Sequence, residues 1–212
     1  MGQHTIARKG LWNLLVVSAI IIGLYPGIYF FIDRKFGLLG FKPELLLTKT
    51  FWNIGFYAHI FSGGLALLIG WTQFGSKFRN RHLALHRRIG KIYVIAVLIS
   101  SVAAIGISFF STGGMVSALG FFSLGIIWLY TTVMAYSAIR KGQIQRHQKM
   151  MVYSYAVCFS AVTLRIWLPL LVITFGDFIT AYVIVAWLCW IPNVLVAYLI
   201  TRRLELDTFE TM

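Results

Sequence analysis

The stretch MMVYSYAVCFSAVTLRIWLPLLVITF, residues 150–175, decides the fold. It is apolar along its length and carries a single charge, Arg165. A helix needs about 20 predominantly apolar residues to cross the hydrocarbon core of a bilayer, and this stretch exceeds that length. Five others reach it: 11–32, 51–74, 89–110, 115–139 and 178–200. Together the six consume most of the chain. The sequence therefore reads as an all-α polytopic membrane protein, one domain over residues 1–212, with six transmembrane helices and no soluble catalytic module. The composition agrees, because only 12% of residues are charged, against roughly a quarter in a soluble domain.

The first apolar run is too long for a cleaved signal peptide. No small-residue cleavage site follows it before Asp33, Arg34 and Lys35, so it reads as a retained helix. The net charge of +13 suggests nucleic acid at first sight, but the charges are sorted by loop. Arg8 and Lys9 precede the first span. Lys77, Arg79, Arg81, Arg87, Arg88 and Lys91 fall between the second and third spans, and Arg140, Lys141, Arg146 and Lys149 between the fourth and fifth. Arg202 and Arg203 follow the sixth. The opposite side has Arg34, Lys35, Lys42 and Lys49, partly offset by Asp33 and Glu44. The positive-inside rule then predicts both termini in the cytoplasm. The basic loops are expected to meet lipid headgroups, and no nucleic-acid partner is expected.

Loop lengths add detail. Ser111–Thr–Gly–Gly114 and Gly176–Asp177 are very short connections, which predict antiparallel neighbours. Residues 44–50 suit either a short interfacial helix or an extension of the second span. Pro169 and Pro192 are expected to kink the fifth and sixth helices. Residues 205–210 form an acidic tail, read as a frayed end. Cys158 and Cys189 lie mid-span with no CxxC spacing, and packing is their expected role.

Ionisable residues inside a membrane span are functional candidates by default. Residues 18 apart return to the same helical face, as do His147 and Arg165. Met151, Ser154, Cys158 and Ala161 lie between them on that face. The second span aligns His59, Ser62, Gly63, Ala66, Gly70 and Gln73, and the third His86, Gly90, Tyr93, Val97, Ser100 and Ala104. Small residues mark helix–helix contact in membranes and also leave room for a flat ligand. Depth sorts the polar groups into an outer station of His59 and Arg165 and an inner one of His86 and His147, with Gln73 nearby. His82 and His86, four apart, have a metal-ligand spacing, but no third ligand accompanies them and arginines crowd the site.

No Asp or Glu lies inside any span. Arg165 thus lacks an intramembrane counter-charge, leaving Asp177 from the loop above or an anionic ligand. Serine-hydrolase, zincin, P-loop and Rossmann signatures are also missing.

These residues resemble a bacterial integral-membrane family known as domain of unknown function two-three-zero-six. The likeness covers 59–165 and rests on His59, Gly70–Trp–Thr–Gln73, HRRIGKIY at 86–93, Phe121, Trp128, His147 with Met151 and Ser154–Tyr–Ala156, and Arg165. Met150 and Tyr153 stand where the family pattern has Trp and Arg, so no role is carried over at those positions. The resemblance implies a multi-pass protein of the bacterial inner membrane and supplies no activity. A looser, fold-level likeness is to small b-type cytochromes, which hold haem between histidines on different helices.

Three functions follow as expectations. The first is haem- or quinone-linked electron transfer. There His86 and His147 would be axial ligands of haem b, Gln73 and Tyr93 would belong to the cofactor site, and His59 with Arg165 would serve an outer quinone or a second cofactor's acidic groups. The second is non-redox binding or transport of an anionic ligand at His59 and Arg165. The third is an accessory or assembly subunit of a membrane complex. Trp128, Tyr155, Trp187 and Trp190 are candidate cavity-lining aromatics.

Overall fold

In a computed structural model, residues 2–32 and 37–209 are described, with side chains described over 9–32 and 37–203. Asp33, Arg34 and Lys35, which entered the charge pattern, lie outside these residues. Six helical segments are long and apolar enough to cross a membrane: Lys9–Phe30, Thr50–Phe74, Leu83–Ser108, Gly114–Arg140, Ile144–Phe175 and Phe178–Arg203. No strand occurs among the described residues. With six spans, both termini fall at one end of the bundle, here the terminal end. The other, distal end carries the 31–49 and 109–113 connections.

The first four spans pack in chain order, each against the next. The fifth closes the ring against the fourth, second and first, and the sixth lies against the fifth and fourth. The first and second spans meet where both have glycine. A Cβ on Gly64 would come within 2.6 Å of the Gly23 carbonyl oxygen, so this crossing depends on small residues. The short connections do join antiparallel neighbours, the third span to the fourth and the fifth to the sixth. At the first of them Gly113 takes φ +87°, a left-handed conformation that glycine adopts without steric cost.

Of the two readings of residues 44–50, the short helix is the one found, and the stretch does not extend the second span. A single short helix, Glu44–Leu47, is followed by a break, and the second span begins at Thr50. The Asn53 amide joins the two by donating to the Leu47 carbonyl at 2.9 Å. The helix from Ile191 continues to Phe209, so the backbone of the acidic tail is helical through that residue, while its side chains lie outside those described.

Both of the last two spans are broken, but only one at its proline. The sixth breaks between Leu188 and Ile191, directly before Pro192. The fifth breaks at Phe159, and Pro169 sits inside the helix Ser160–Phe175. Asn193 joins the two breaks. Its amide donates to the Ala156 carbonyl at 3.2 Å and the Cys189 carbonyl at 3.1 Å, with Thr163 Oγ1 at 3.1 Å. A buried carbonyl left unpaired in lipid is costly, so this amide holds both breaks in place.

Candidate functional site

The small-residue faces converge, but the two ends of the bundle differ. In the terminal half they pack tightly. Tyr93, Ser154 and Thr132 are fully buried and joined in a chain, Tyr93 Oη to Ser154 Oγ at 2.8 Å and Ser154 Oγ to Thr132 Oγ1 at 2.7 Å. The Tyr155 hydroxyl donates to the Leu67 carbonyl at 3.2 Å. A Cβ on Gly70 would lie 2.6 Å from the Tyr155 ring and 2.8 Å from Tyr93. Glycine here lets two tyrosines fill the space between the second, third and fifth spans.

In the distal half the same faces stand apart and enclose a cavity of about 920 Å³. His59, Arg165, Tyr25, Trp52, Trp128 and Ser160 line it, with Lys42 and Ser111 toward the loops. Among the described residues, no Asp or Glu lines it. Leu67, Trp128 and Val157 reach deepest along their spans. The second span puts Leu67 about 25 Å below its distal start at 1.5 Å per residue. The tyrosine–serine–threonine layer lies beneath as a floor.

His59 is fixed by the third span. Its Nδ1 lies 3.1 Å from the Ser100 carbonyl oxygen, and Ser100 Oγ donates to the His59 carbonyl at 2.9 Å. Ser100 Oγ also lies 3.0 Å from this nitrogen; a bond to the carbonyl, which only accepts, requires the proton on Nδ1. In the neutral ring Nε2 then holds the lone pair. Close approach is possible because residue 63 is glycine, where a Cβ would meet Ser100 Oγ at 2.8 Å.

Arg165 lies close enough to His59 for their charges to interact. Its Nη1 donates to the Ala161 carbonyl at 2.9 Å, and its guanidinium carbon sits 4.5 Å from the centre of the Tyr25 ring. The carbonyl used is that of its own helix one turn earlier. Asp177 is turned away to cap the sixth span, accepting from the Thr180 amide at 2.7 Å. That bond holds its carboxyl below the ordinary range. Arg165 therefore has a π face and a carbonyl as partners, and guanidinium N–H groups remain to face the cavity.

Polar groups of the lining also lack a hydrogen-bond partner, Trp52 and Ser160 among them. Trp52 and Ser160 are 2% and 3% exposed, and neither Trp52 Nε1 nor Ser160 Oγ has a hydrogen-bond partner. Both residues line the cavity. Unpaired buried donors are rare, because each forfeits its hydration without replacement.

The inner station lies beyond the floor. His86 and His147 are near enough for their charges to interact, and Arg79 and Arg87 adjoin His86. His147 Nδ1 donates to the Ala135 carbonyl at 2.9 Å, while His86 Nδ1 is buried without a partner. Gln73 is buried, donates to Thr72 Oγ1 at 3.2 Å and faces Gly90. None of His86, His147, Gln73 and Tyr93 lines the distal cavity. Between this pair and the cavity the space is taken by Tyr93, Tyr155 and Ser154. No group of three or more His, Cys, Asp or Glu side chains suited to a metal occurs among the described residues.

Of the six candidate residues, the structure thus brings His59 and Arg165 into one cavity and keeps the other four apart from it. Trp128 lines the cavity; Tyr155 belongs to the floor, and Trp187 and Trp190 pack around the sixth span. Tyr25, Lys42, Trp52 and Ser160 were not singled out by sequence. For Tyr25 the available signal was its place four residues before Tyr29 at the end of the first span.

No match was found among curated proteins or among solved structures. One family does match, over residues 56–201, a stretch holding His59, the floor, both inner histidines and Arg165. The chain belongs to that family, described as predicted membrane protein (DUF2306).

Proposed function

We propose that this membrane protein binds an anionic amphiphile in its distal cavity, with the headgroup at Arg165 and His59. One observation carries this reading: a guanidinium faces a large cavity whose described lining residues include no carboxylate. A charged arginine at this depth costs about 2.5 kcal/mol or more, and an anionic headgroup offsets that cost with two parallel charge-assisted hydrogen bonds. The apolar and aromatic walls suit a hydrocarbon chain, and the volume falls within the roughly 300–1,000 Å³ that encloses a small organic ligand. Trp52 Nε1 and Ser160 Oγ supply two unclaimed donors. The charge pattern of the loops favours termini in the cytoplasm, and with them a cavity in the outer leaflet.

The test is an organic extract of the protein purified in a neutral detergent, analysed by mass spectrometry. An acidic amphiphile is expected at near-stoichiometric yield from the wild type and absent from Arg165→Leu. Equal recovery from both proteins contradicts the assignment.

A second reading is favoured by the Nε2 lone pair of His59, which suits the hydroxyl of a quinol. It makes the protein a quinone-linked redox component, and an added ubiquinone analogue that protects His59 from diethyl pyrocarbonate supports it. Haem b at His86 and His147 has less in its favour, because filled space lies above that pair. Oxidised and reduced absorbance spectra decide it.

A further inference from the structure

A second pocket of about 500 Å³ opens at the distal end, lined by Phe41, Lys42, Lys49, Phe51, Phe110 and Ser111 among others. It shares Phe41, Lys42 and Ser111 with the deep cavity, so Lys42 stands in the wall common to both. On one side of it lie Lys49 and exposed apolar side chains, Phe51 at 59% and Leu45 at 71%. On the other lies the chamber that holds Arg165. Lys42 donates to the Phe110 carbonyl beyond the end of the third span. An ammonium has three donors, so two stay unclaimed by that contact.

We propose that this pocket is a receiving site, which takes a single-chain carboxylate amphiphile from the adjoining leaflet at Lys42 and passes it inward to Arg165. The proposal rests on the anionic-ligand reading of the deep cavity. The exposed phenylalanines and leucine present an apolar surface at the membrane interface, where an acyl chain already lies. Lys42 and Lys49 give the same pocket a positive charge complementary to a carboxylate. Arg165 continues that charge inside, and Lys42 stands between, touching both spaces. Burial pushes the Lys42 ammonium down to about 8, so at pH 7 it is a partly desolvated cation that gains from an arriving anion.

The test is stopped-flow binding of dansylaminoundecanoic acid to the full chain in phosphatidylcholine vesicles at pH 7, read by energy transfer from tryptophan. Lys42→Gln keeps a donor for the Phe110 carbonyl and removes the charge, and Lys42→Arg keeps the charge. A receiving site lowers the barrier in both directions. Lys42→Gln should therefore slow association and release alike, by about tenfold, and leave the equilibrium affinity nearly unchanged, while Lys42→Arg behaves as wild type. Wild-type rates in Lys42→Gln with intact binding would overturn the receiving site alone. Faster release with weakened affinity would make Lys42 part of the final site and also overturn it. Absence of probe binding to the wild type would remove the anionic-ligand reading and this inference together.

Discussion

His59 and Ser100 are tied by three contacts: His59 Nδ1 to the Ser100 carbonyl at 3.1 Å, Ser100 Oγ to the His59 carbonyl at 2.9 Å, and Ser100 Oγ to His59 Nδ1 at 3.0 Å. The pairing locks the second span to the third and turns a fixed imidazole, protonated on Nδ1, toward the cavity. It depends on the missing side chain at Gly63, whose Cβ would sit 2.8 Å from Ser100 Oγ.

Gly63→Ala should therefore cost more than Ser100→Ala. Loss of the hydroxyl removes its two contacts with His59, at about 0.6 kcal/mol for an interhelical hydrogen bond in a membrane. The added methyl instead pushes the two spans apart or displaces the hydroxyl. The double variant with alanine at 63 and glycine at 100 should recover much of the loss. Unfolding in mixed micelles measures each, and additive effects in the double variant would contradict direct contact.

Asn193→Leu should destabilise by about 1–2 kcal/mol. It takes a donor from the Ala156 carbonyl and leaves the Cys189 carbonyl with Thr163 Oγ1 alone, where both helices are already broken. The same unfolding assay checks this. A loss as small as that of an exposed, lipid-facing substitution such as Leu195→Ala would show that the breaks need no staple.

Much of this bundle was legible in the sequence, and the reason lies in particular residues. The six spans follow from length and polarity. His59 and Arg165 could be set at one depth because helix rise is constant. What sequence did not show is that the faces carrying them separate in the distal half and close in the terminal half. A run such as His59, Gly63, Ala66 and Gly70 fits either outcome. Closure is decided by which neighbour fills the gap, and at Gly70 that neighbour is a pair of tyrosines from two other spans. The break at Phe159 was hidden as well. Pro169 drew attention to itself, whereas the break depends on Asn193, a residue of another helix. Lys42 read as a loop charge because its burial depends on how the connection folds back.

Lys42 should titrate with a midpoint near 8, below an ordinary lysine, because burial disfavours its charged form. The folded state binds this proton more weakly than the unfolded chain. The group's unfavourable contribution to stability is thus fully present below pH 8 and lifts as pH rises toward the unfolded value of about 10.4. Carbon-13 reductive methylation followed by NMR titration measures the midpoint, with Lys42→Arg assigning the signal. A midpoint near the unfolded value would place Lys42 in open solvent.

The topology is testable by cysteine labelling from outside the cell. A cysteine at Lys42 should react with a membrane-impermeant maleimide, and one at Lys141 should not, since the positively charged loops stay inside. Cys158 and Cys189 are buried and should give no background. The reverse pattern would move the cavity to the inner leaflet.

The central claim is that Arg165 grips an anionic headgroup inside the distal cavity. Its most direct measurement is the equilibrium affinity of dansylaminoundecanoic acid and its methyl ester for wild type, Arg165→Lys and Arg165→Leu. The account predicts that wild type prefers the acid. Arg165→Lys should lose part of that preference, because an ammonium cannot reproduce the planar fork. Arg165→Leu should lose about 1.5–3 kcal/mol of acid binding, or about 10–150-fold, while its weak affinity for the ester stays the same. Equal affinity of wild type for acid and ester, or an Arg165→Leu protein that still prefers the acid, would contradict it.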